Sequence, residues 1–145
     1  MKPHELARSS FFKDLSPAEL ADVAALMTKD HFQAGETIFT QGSPGDYFFY
    51  IAIGLVRVWL TLEDGGAREL AELGPGQFFG ELALLDKEPR TASVEAVENC
   101  EVWKLKREEF LNLLRGNALM AVKLLQVVGA RLRRADKVIQ MLSAR

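Results

Sequence analysis

The spacing of hydrophobic and polar positions changes twice along the chain and divides it into three parts. In the first part, apolar residues recur at helical spacing at Leu20, Val23, Ala24 and Met27. Ser16 is a favourable N-cap for this helix, and Glu19 is placed to close a capping box. Residues 32–105 consist of short β-prone runs separated by turn residues, and helical spacing returns beyond them.

The middle part predicts a mainly β fold. Residues 47–53 are rich in aromatic and β-branched side chains, which favours a strand. A half-buried strand follows, with alternating apolar positions at Val56, Val58, Leu60 and Leu62. Residues 63–66 form a hairpin turn signal, and residues 68–73 are the expected partner strand. Short strands at regular spacing are typical of a sandwich or barrel rather than a parallel sheet, so we expect a β-barrel or roll with flanking helices.

The last part predicts two helices, one over residues 107–114 and a long one over residues 118–142, with a break at Gly116-Asn117. Seven residues of the long helix form a heptad seam: Ala121, Leu125, Val128, Leu132, Ala135, Ile139 and Leu142. The seam predicts a parallel two-stranded coiled coil and therefore a homodimer. Packing of the early part of this helix against its own roll is an alternative use of the same apolar residues.

Length and composition favour a single domain in a reducing compartment. The 145 residues predict one domain over 1–145, with a helical lead-in (1–31), a β-roll (32–106) and C-terminal helices (107–145). One cysteine, Cys100, excludes an internal disulfide and favours the cytoplasm. The longest apolar runs are too short to span a membrane, and the net charge of -2 argues against direct nucleic-acid binding.

The titratable residues argue against an enzyme. His4 and His31 have no partners at metal-ligand spacing, and no nucleophile–base pair is visible. We therefore expect no metal and no cofactor, and a phosphodiesterase is disfavoured. The basic run at residues 131–134 is interpreted as a solvated helix face, with nucleic-acid contact as the weaker alternative.

Residues 79–93 carry the chemistry that points to a ligand. Glu81 and Arg90 lie on either side of a short apolar segment, and Gly80 allows close approach of the backbone. A guanidinium is well shaped to hold a phosphate, and a carboxylate can accept a hydrogen bond from a sugar hydroxyl. Residues 82–85 are predicted to form a short helix whose free N–H groups face an anion. These features predict a ribose-phosphate pocket.

Two motifs in this order resemble the cyclic nucleotide-binding domain family. The chain reads F-G-E-L-A-L-L over residues 79–85 and P-R-T-A over residues 89–92, which is similar to the family's phosphate-binding cassette. The earlier motif, called the first motif below, consists of Phe32, Gly35, Glu36, Ile38 and Gly42, followed by Asp46, Phe49, Ile51 and Gly54. The resemblance covers nearly the whole chain and implies a jelly-roll-like double-stranded β-helix with a long C-terminal helix.

The resemblance also implies a role for each matched residue. Glu81 is expected to accept the ribose 2′-hydroxyl, and Arg90 is expected to pair with the cyclic phosphate. The cradle is completed around Phe79, Gly80, Leu82, Ala83, Thr91 and Ala92. A surface ion pair between Glu81 and Arg90 is the alternative interpretation.

The choice of base and the helix contacts are less closely matched to the family. Thr91 resembles the cyclic-GMP choice of the family's kinases, yet bacterial cyclic-AMP binders also carry Thr or Ser there; we favour cyclic AMP over cyclic GMP. The family's two base-contacting hydroxyl residues fall on Ala135 and Asp136, which departs from the pattern. Arg131 falls where the family has an arginine that pairs with the pocket carboxylate, and a solvated helix charge is its alternative.

The expected function is a cyclic nucleotide sensor that signals through its last helix to an unidentified protein. The family's transcription regulators carry a DNA-reading domain after that helix, whereas this sequence ends at Arg145. We therefore expect a free-standing sensor or the sensor half of a longer regulator. A structural dimerisation domain with no ligand is the remaining alternative.

Overall fold

The computed structural model of the chain describes residues 2–9, 11–81 and 88–143. The chain divides into two compact units, Met1–Leu111 and Asn112–Arg145. The organisation of residues 1–145 as a single domain stays a prediction, and the two units are described in turn.

The lead-in contains two helices, α1 (Pro3–Leu6) and α2 (Pro17–Leu26). The predicted capping box of α2 is confirmed, because the Glu19 N–H donates to Ser16 Oγ across 3.2 Å and the Ser16 N–H donates to Glu19 Oε1 across 2.9 Å. The helix buries the apolar stripe that its spacing predicted, and it ends one residue before Met27.

The described part of the first unit forms two four-stranded antiparallel sheets, which confirms the predicted mainly β, jelly-roll-like fold. One sheet has the order β1-β8-β3-β6 and the other the order β2-β7-β4-β5. The strands are β1 (Thr28–Phe32), β2 (Thr37–Phe39), β3 (Tyr47–Ile53), β4 (Val56–Thr61), β5 (Ala67–Leu73), β6 (Phe78–Phe79), β7 (Ser93–Ala96) and β8 (Cys100–Lys106).

The first strand corrects the predicted boundary between lead-in and roll. The sequence pattern places residues 28–31 in the helical lead-in, but β1 begins at Thr28 and pairs along its length with β8. Its sequence, TKDHF, does not alternate between apolar and polar residues. The charged residues of this strand are instead paired with charged residues of β8. Lys29 lies 3.5 Å from a carboxylate oxygen of Glu101, and Asp30 lies 3.4 Å from the Lys104 amine.

Two apolar layers fix the first sheet. Between the sheets lies a core cluster to which both contribute: Phe49, Ile51, Val56, Leu73, Phe79, Val94, Ala96, Cys100 and Val102. On the other face of the first sheet, Phe48 stacks on Phe110 with ring centroids 4.5 Å apart, and Phe12 meets Phe48 edge to face. The lead-in therefore anchors β3, the strand that carries one wall of the site described below.

The C-terminal helices are α3 (Arg107–Gly116), which begins in the first unit, and α4 (Ala118–Ser143). Asn117 separates them, and its side-chain oxygen accepts from the Met120 N–H across 3.0 Å, which caps α4. Leu125 and Leu132 of the predicted seam are 70% and 61% exposed. The side chains of Ala135, Ile139 and Leu142 lie outside the described part.

Within the described residues, no single helix is long and apolar enough to cross a membrane. A bent pair, Arg107–Gly116 with Ala118–Arg134, meets the length and composition test only when its two helices are taken together.

Candidate functional site

The two sequence motifs meet at the backbone of Arg90. The Gly42 N–H donates to the Arg90 carbonyl across 2.8 Å, and the Arg90 N–H donates to the Ser43 carbonyl across 2.8 Å. Next to them, the Gln41 N–H donates to Ser93 Oγ across 2.8 Å. These bonds join the turn of the first motif to the end of the cassette. They fix the position of the Arg90 backbone, from which the side chain extends.

The Arg90 guanidinium is buried and held by backbone carbonyls. The residue is 5% exposed. Its Nη1 donates to the Gly80 carbonyl across 2.7 Å, and its Nη2 donates to the Tyr47 carbonyl across 2.8 Å. Its Nε is also buried and has no hydrogen-bond partner among the described residues. The side chain is therefore oriented by the protein while it keeps donor capacity for a further acceptor.

Aromatic rings line one side of this guanidinium. The Arg90 Cζ lies over the Phe39 ring, 4.0 Å from its centroid, and 5.9 Å from the centroid of Phe49. Phe49 stacks on Phe79 with centroids 4.9 Å apart and ring planes 5° from parallel. The site thus combines a cation with an apolar wall that excludes water, which strengthens its interaction with an anion.

Burial lowers the pKa of the Arg90 guanidinium to about 10, and the nearby carboxylates of Asp46 and Glu81 act in the opposite direction. Because this pKa lies well above neutrality, Arg90 is a cation at physiological pH. Asp46 adjoins Tyr47, and the backbone carbonyl of Asp46 accepts a hydrogen bond from the Arg107 N–H across 3.0 Å. Among the described residues, the site therefore contains one buried cation flanked by two carboxylates.

Gly80 forms the point at which the cassette backbone meets Arg90. Its φ of +88° lies in the left-handed region. A Cβ at this position would lie 2.8 Å from Arg90 Nη1 and 3.1 Å from the Tyr47 carbonyl oxygen. Both the conformation and the space thus require glycine. Glu81 follows at once and is 3% exposed, so the carboxylate predicted to hold a sugar hydroxyl is buried within the first unit.

The remaining predicted site residues have mixed positions. Phe79 is buried in β6, Ala92 is 8% exposed, and Thr91 is exposed. Leu82 and Ala83 lie outside the described residues, as does the short helix predicted over 82–85. On α4, Arg131 is half-buried and Asp136 is exposed, and the side chain of Ala135 is outside the described part.

Three contributions to the site were not identified from the sequence. Phe39 and Phe49 face the guanidinium, and the Tyr47 carbonyl accepts a hydrogen bond from it. Asp46 and Phe49 belong to the pattern of the first motif, which gives a hint of their importance without a role. A backbone carbonyl has no side-chain signature, so nothing in the sequence marks Tyr47 as an acceptor.

Comparison with known proteins places the chain in a family. The family model described as "Cyclic nucleotide-binding domain" matches residues 29–117. The chain belongs to the cyclic nucleotide-binding domain family. The match includes both motifs and the strands β2 to β8 that carry them, and β1 from its second residue.

Relatives of this cyclic nucleotide-binding domain occur in regulators and in kinases. The "Cyclic AMP receptor protein" of Thermus thermophilus is 39% identical over 93% of this chain and 62% of its own length. The crystal structure of the Thermus thermophilus catabolite activator protein superposes with a TM-score of 0.83, covering 93% of this chain and 63% of that chain at 39% identity. The chain therefore spans about 62% of the length of that curated relative.

Two further relatives are protein kinases or their regulators. Human "cGMP-dependent protein kinase 2" is 36% identical over 78% of this chain and 14% of its own length. The regulatory domain of Toxoplasma gondii PKA, crystallised with cAMP, matches with a TM-score of 0.70 at 29% identity, over 77% of this chain and 42% of that one. Relatives named for cyclic AMP and for cyclic GMP thus both resemble this chain.

Proposed function

We propose that this chain is a sensor that binds one cyclic nucleotide, cyclic AMP in preference to cyclic GMP, without turning it over. The observation that carries the proposal is the burial of Arg90 and Glu81 on the two sides of one cassette, at 5% and 3% exposure. Arg90 keeps a buried Nε–H with no acceptor among the described residues, and such a donor is costly in a dry site unless a ligand accepts from it. Family membership supports the same ligand class.

In this proposal the cyclic phosphate pairs with Arg90. A cyclic phosphodiester carries one negative charge, which matches the charge of the buried Arg90 guanidinium. The two carbonyl bonds use one N–H of Nη1 and one of Nη2, so Nε–H and the other N–H groups are available to phosphate oxygens. Water excluded by the aromatic wall does not compete for those donors.

Glu81 supplies the second contact of the proposed site, to the ribose 2′-hydroxyl. An ionised carboxylate only accepts hydrogen bonds, so it selects a donor such as a hydroxyl and disfavours a second phosphate oxygen. Gly80 brings the backbone of this segment next to Arg90, and Glu81 follows Gly80 directly, which supports contacts of both residues to one ribose-phosphate group. Leu82, Ala83, Thr91 and Ala92 complete the proposed cradle, and contacts from Arg131, Ala135 and Asp136 stay predictions.

The proposed output is a homodimer whose last helix responds to the ligand. Leu125 and Leu132 are large apolar side chains of the seam with 70% and 61% exposure, which supports burial against a second copy. Ligand binding would shift the equilibrium of α4 between two positions, which an unidentified protein partner reads. We place this sensor in the cytoplasm, with neither nucleic acid nor membrane as a direct partner.

A second setting for the same site is the sensor portion of a transcription regulator. A Mycobacterium tuberculosis relative named "CRP-like cAMP-activated global transcriptional regulator" is 30% identical over 90% of this chain, which favours this setting over a kinase. The ligand-free dimerisation domain is the third candidate. It draws support from Arg90, whose two terminal nitrogens already donate to carbonyls of the protein.

Displacement of a fluorescent cyclic AMP analogue tests the proposed function. Cyclic AMP, cyclic GMP, 2′-deoxy cyclic AMP and 5′-AMP compete in parallel, after nucleotide carried through purification has been removed. We expect cyclic AMP to compete best, 2′-deoxy cyclic AMP to lose the Glu81 contact, and 5′-AMP to compete worst because of its second phosphate charge. Failure of the fluorescent analogue and cyclic AMP to bind would favour the ligand-free domain.

A further inference from the structure

The Arg90 guanidinium has a contact that hydrogen bonds do not account for. Its Cζ lies 4.0 Å from the centroid of the Phe39 ring and over its face. The ring in turn lies 5.9 Å from Phe49 and 5.9 Å from Phe79, measured between centroids. Phe39 therefore connects the only buried arginine of the described residues to the aromatic part of the core.

The two carbonyl bonds leave one motion of the guanidinium open. Bonds from Nη1 to Gly80 and from Nη2 to Tyr47 fix the group within its plane. They do not stop it from tilting about the line that joins the two nitrogens. The Phe39 ring, 4.0 Å from Cζ, opposes that tilt, and the attraction between cation and ring is stronger in a dry site than at the surface.

The position of Phe39 results from an irregularity in β2. Thr37 pairs with Glu95 and Phe39 pairs with Val94, so two steps along β2 correspond to one step along β7. Such a bulge changes the direction of side chains. As a result Ile38 and Phe39, although adjacent, both pack against the core cluster. In a regular strand adjacent side chains point to opposite faces, and only one of them would reach the core.

We propose that Phe39 is a positioning residue for phosphate binding: its ring holds the Arg90 guanidinium at the tilt at which its remaining N–H groups, Nε–H among them, meet the cyclic phosphate. This inference rests on the proposed function and deepens it, because it assigns a role in ligand affinity to a side chain of the first motif. Leucine at this position keeps the apolar bulk and loses the ring face, whereas tyrosine keeps the ring.

Binding measurements on Phe39→Leu and Phe39→Tyr test the proposal, with Phe32→Leu as the matched control. Phe32 is also half-buried and packs against the same core cluster from β1, and no described cation lies over its ring. We expect Phe39→Leu to weaken cyclic AMP binding about three- to tenfold and Phe39→Tyr to restore it to within about twofold. We expect Phe32→Leu to lower the melting temperature about as much as Phe39→Leu does. Unlike Phe39→Leu, it is expected to leave the affinity for cyclic AMP unchanged.

The Nε–Hε NMR signal of Arg90 gives a readout that does not depend on ligand. The ring current of Phe39 is expected to shift this signal upfield in the wild type and in Phe39→Tyr, and the shift is lost in Phe39→Leu.

Equal affinity of Phe39→Leu and the wild type for cyclic AMP, or an equal loss of affinity in Phe39→Leu and Phe32→Leu, would overturn the positioning role. If the wild type binds no cyclic nucleotide, both the proposed function and the positioning role fail. An upfield signal in the same protein would then show only that the Phe39 ring lies against Arg90. If the signal is not shifted, the stacking is refuted and only the proposed function can survive.

Discussion

Arg90 Nη1 donates to the carbonyl of Gly80 across 2.7 Å and so joins the two ends of the cassette. The bond connects the residue before Glu81 to the arginine, and a substitution of either Gly80 or Arg90 disturbs it. Gly80 cannot accept a Cβ without meeting Arg90 Nη1 at 2.8 Å, and Arg90 cannot be shortened without losing its hydrogen bonds to the Gly80 and Tyr47 carbonyls. The geometry of the site and its proposed chemistry are therefore tested by the same variants.

Replacement of Arg90 by alanine removes the proposed partner of the phosphate. Hydrogen bonds to a charged group contribute about 1.5–3 kcal/mol each, so the loss of two such bonds weakens cyclic AMP binding by about 100-fold or more. Titration of the folded variant with cyclic AMP measures the effect. Arg57→Ala is the control, because Arg57 lies 3.2 Å from Glu95 in a partly exposed ion pair of the second sheet. Retained affinity in Arg90→Ala would contradict the assignment.

Glu81→Gln tests recognition of the sugar. Wild-type protein is expected to prefer cyclic AMP over 2′-deoxy cyclic AMP by about tenfold or more, since the deoxy ligand lacks the hydroxyl that donates to the charged Glu81 acceptor. The amide weakens that acceptor, so the ratio of the two affinities falls toward one. Glu72→Gln, an exposed carboxylate of β5, is the matched control and leaves the ratio unchanged. An unaltered ratio in Glu81→Gln would show that another group reads the 2′-position.

Gly80→Ala separates backbone strain from loss of the cradle. Gly76 has a φ of +86° and open space where the methyl group of an alanine would lie, so Gly76→Ala carries strain alone. Left-handed backbone costs a non-glycine residue about 1–2 kcal/mol. We expect the free energy of unfolding, measured by denaturant titration, to fall by at least that much in both variants. Gly80→Ala loses more, and its affinity for cyclic AMP falls as well, because the new methyl group displaces Arg90.

A charge on the seam tests the proposed dimer. Leu132→Glu places a carboxylate opposite its own copy in a parallel coiled coil, so we expect a shift from dimer to monomer in sedimentation equilibrium. Leu119→Glu is the control, because Leu119 is 50% exposed on the same helix and lies off the seam. Identical dissociation of both variants, or of neither, would argue against the seam as the interface.

Patterns that depend on side chains were predictable from the sequence. The run of aromatic and β-branched residues gave the bounds of β3, Tyr47–Ile53, and the Ser16–Glu19 box gave the start of α2. The strand β1 was not recognised because its polar residues are stabilised by Glu101 and Lys104, which lie far away in sequence. Local hydrophobic spacing contains no information about such long-range pairing.

The site shows the same division. Gly80, Glu81 and Arg90 were predicted because residue type and spacing mark them. Tyr47 contributes a carbonyl, which every residue possesses, and its 2.8 Å bond to Arg90 depends on the register of β3. Phe39 reaches the guanidinium through a bulge in β2, which cannot be read from an apolar pair such as Ile38-Phe39.

The most direct test of the central claim is a calorimetric titration of the wild-type chain with cyclic AMP, repeated at two temperatures so that a small enthalpy is not mistaken for no binding. We expect saturation at one nucleotide per chain with a dissociation constant of about 1 μM or below, which corresponds to about 8 kcal/mol of binding free energy. No saturable heat at either temperature, with nucleotide-free protein shown to be folded, would contradict it.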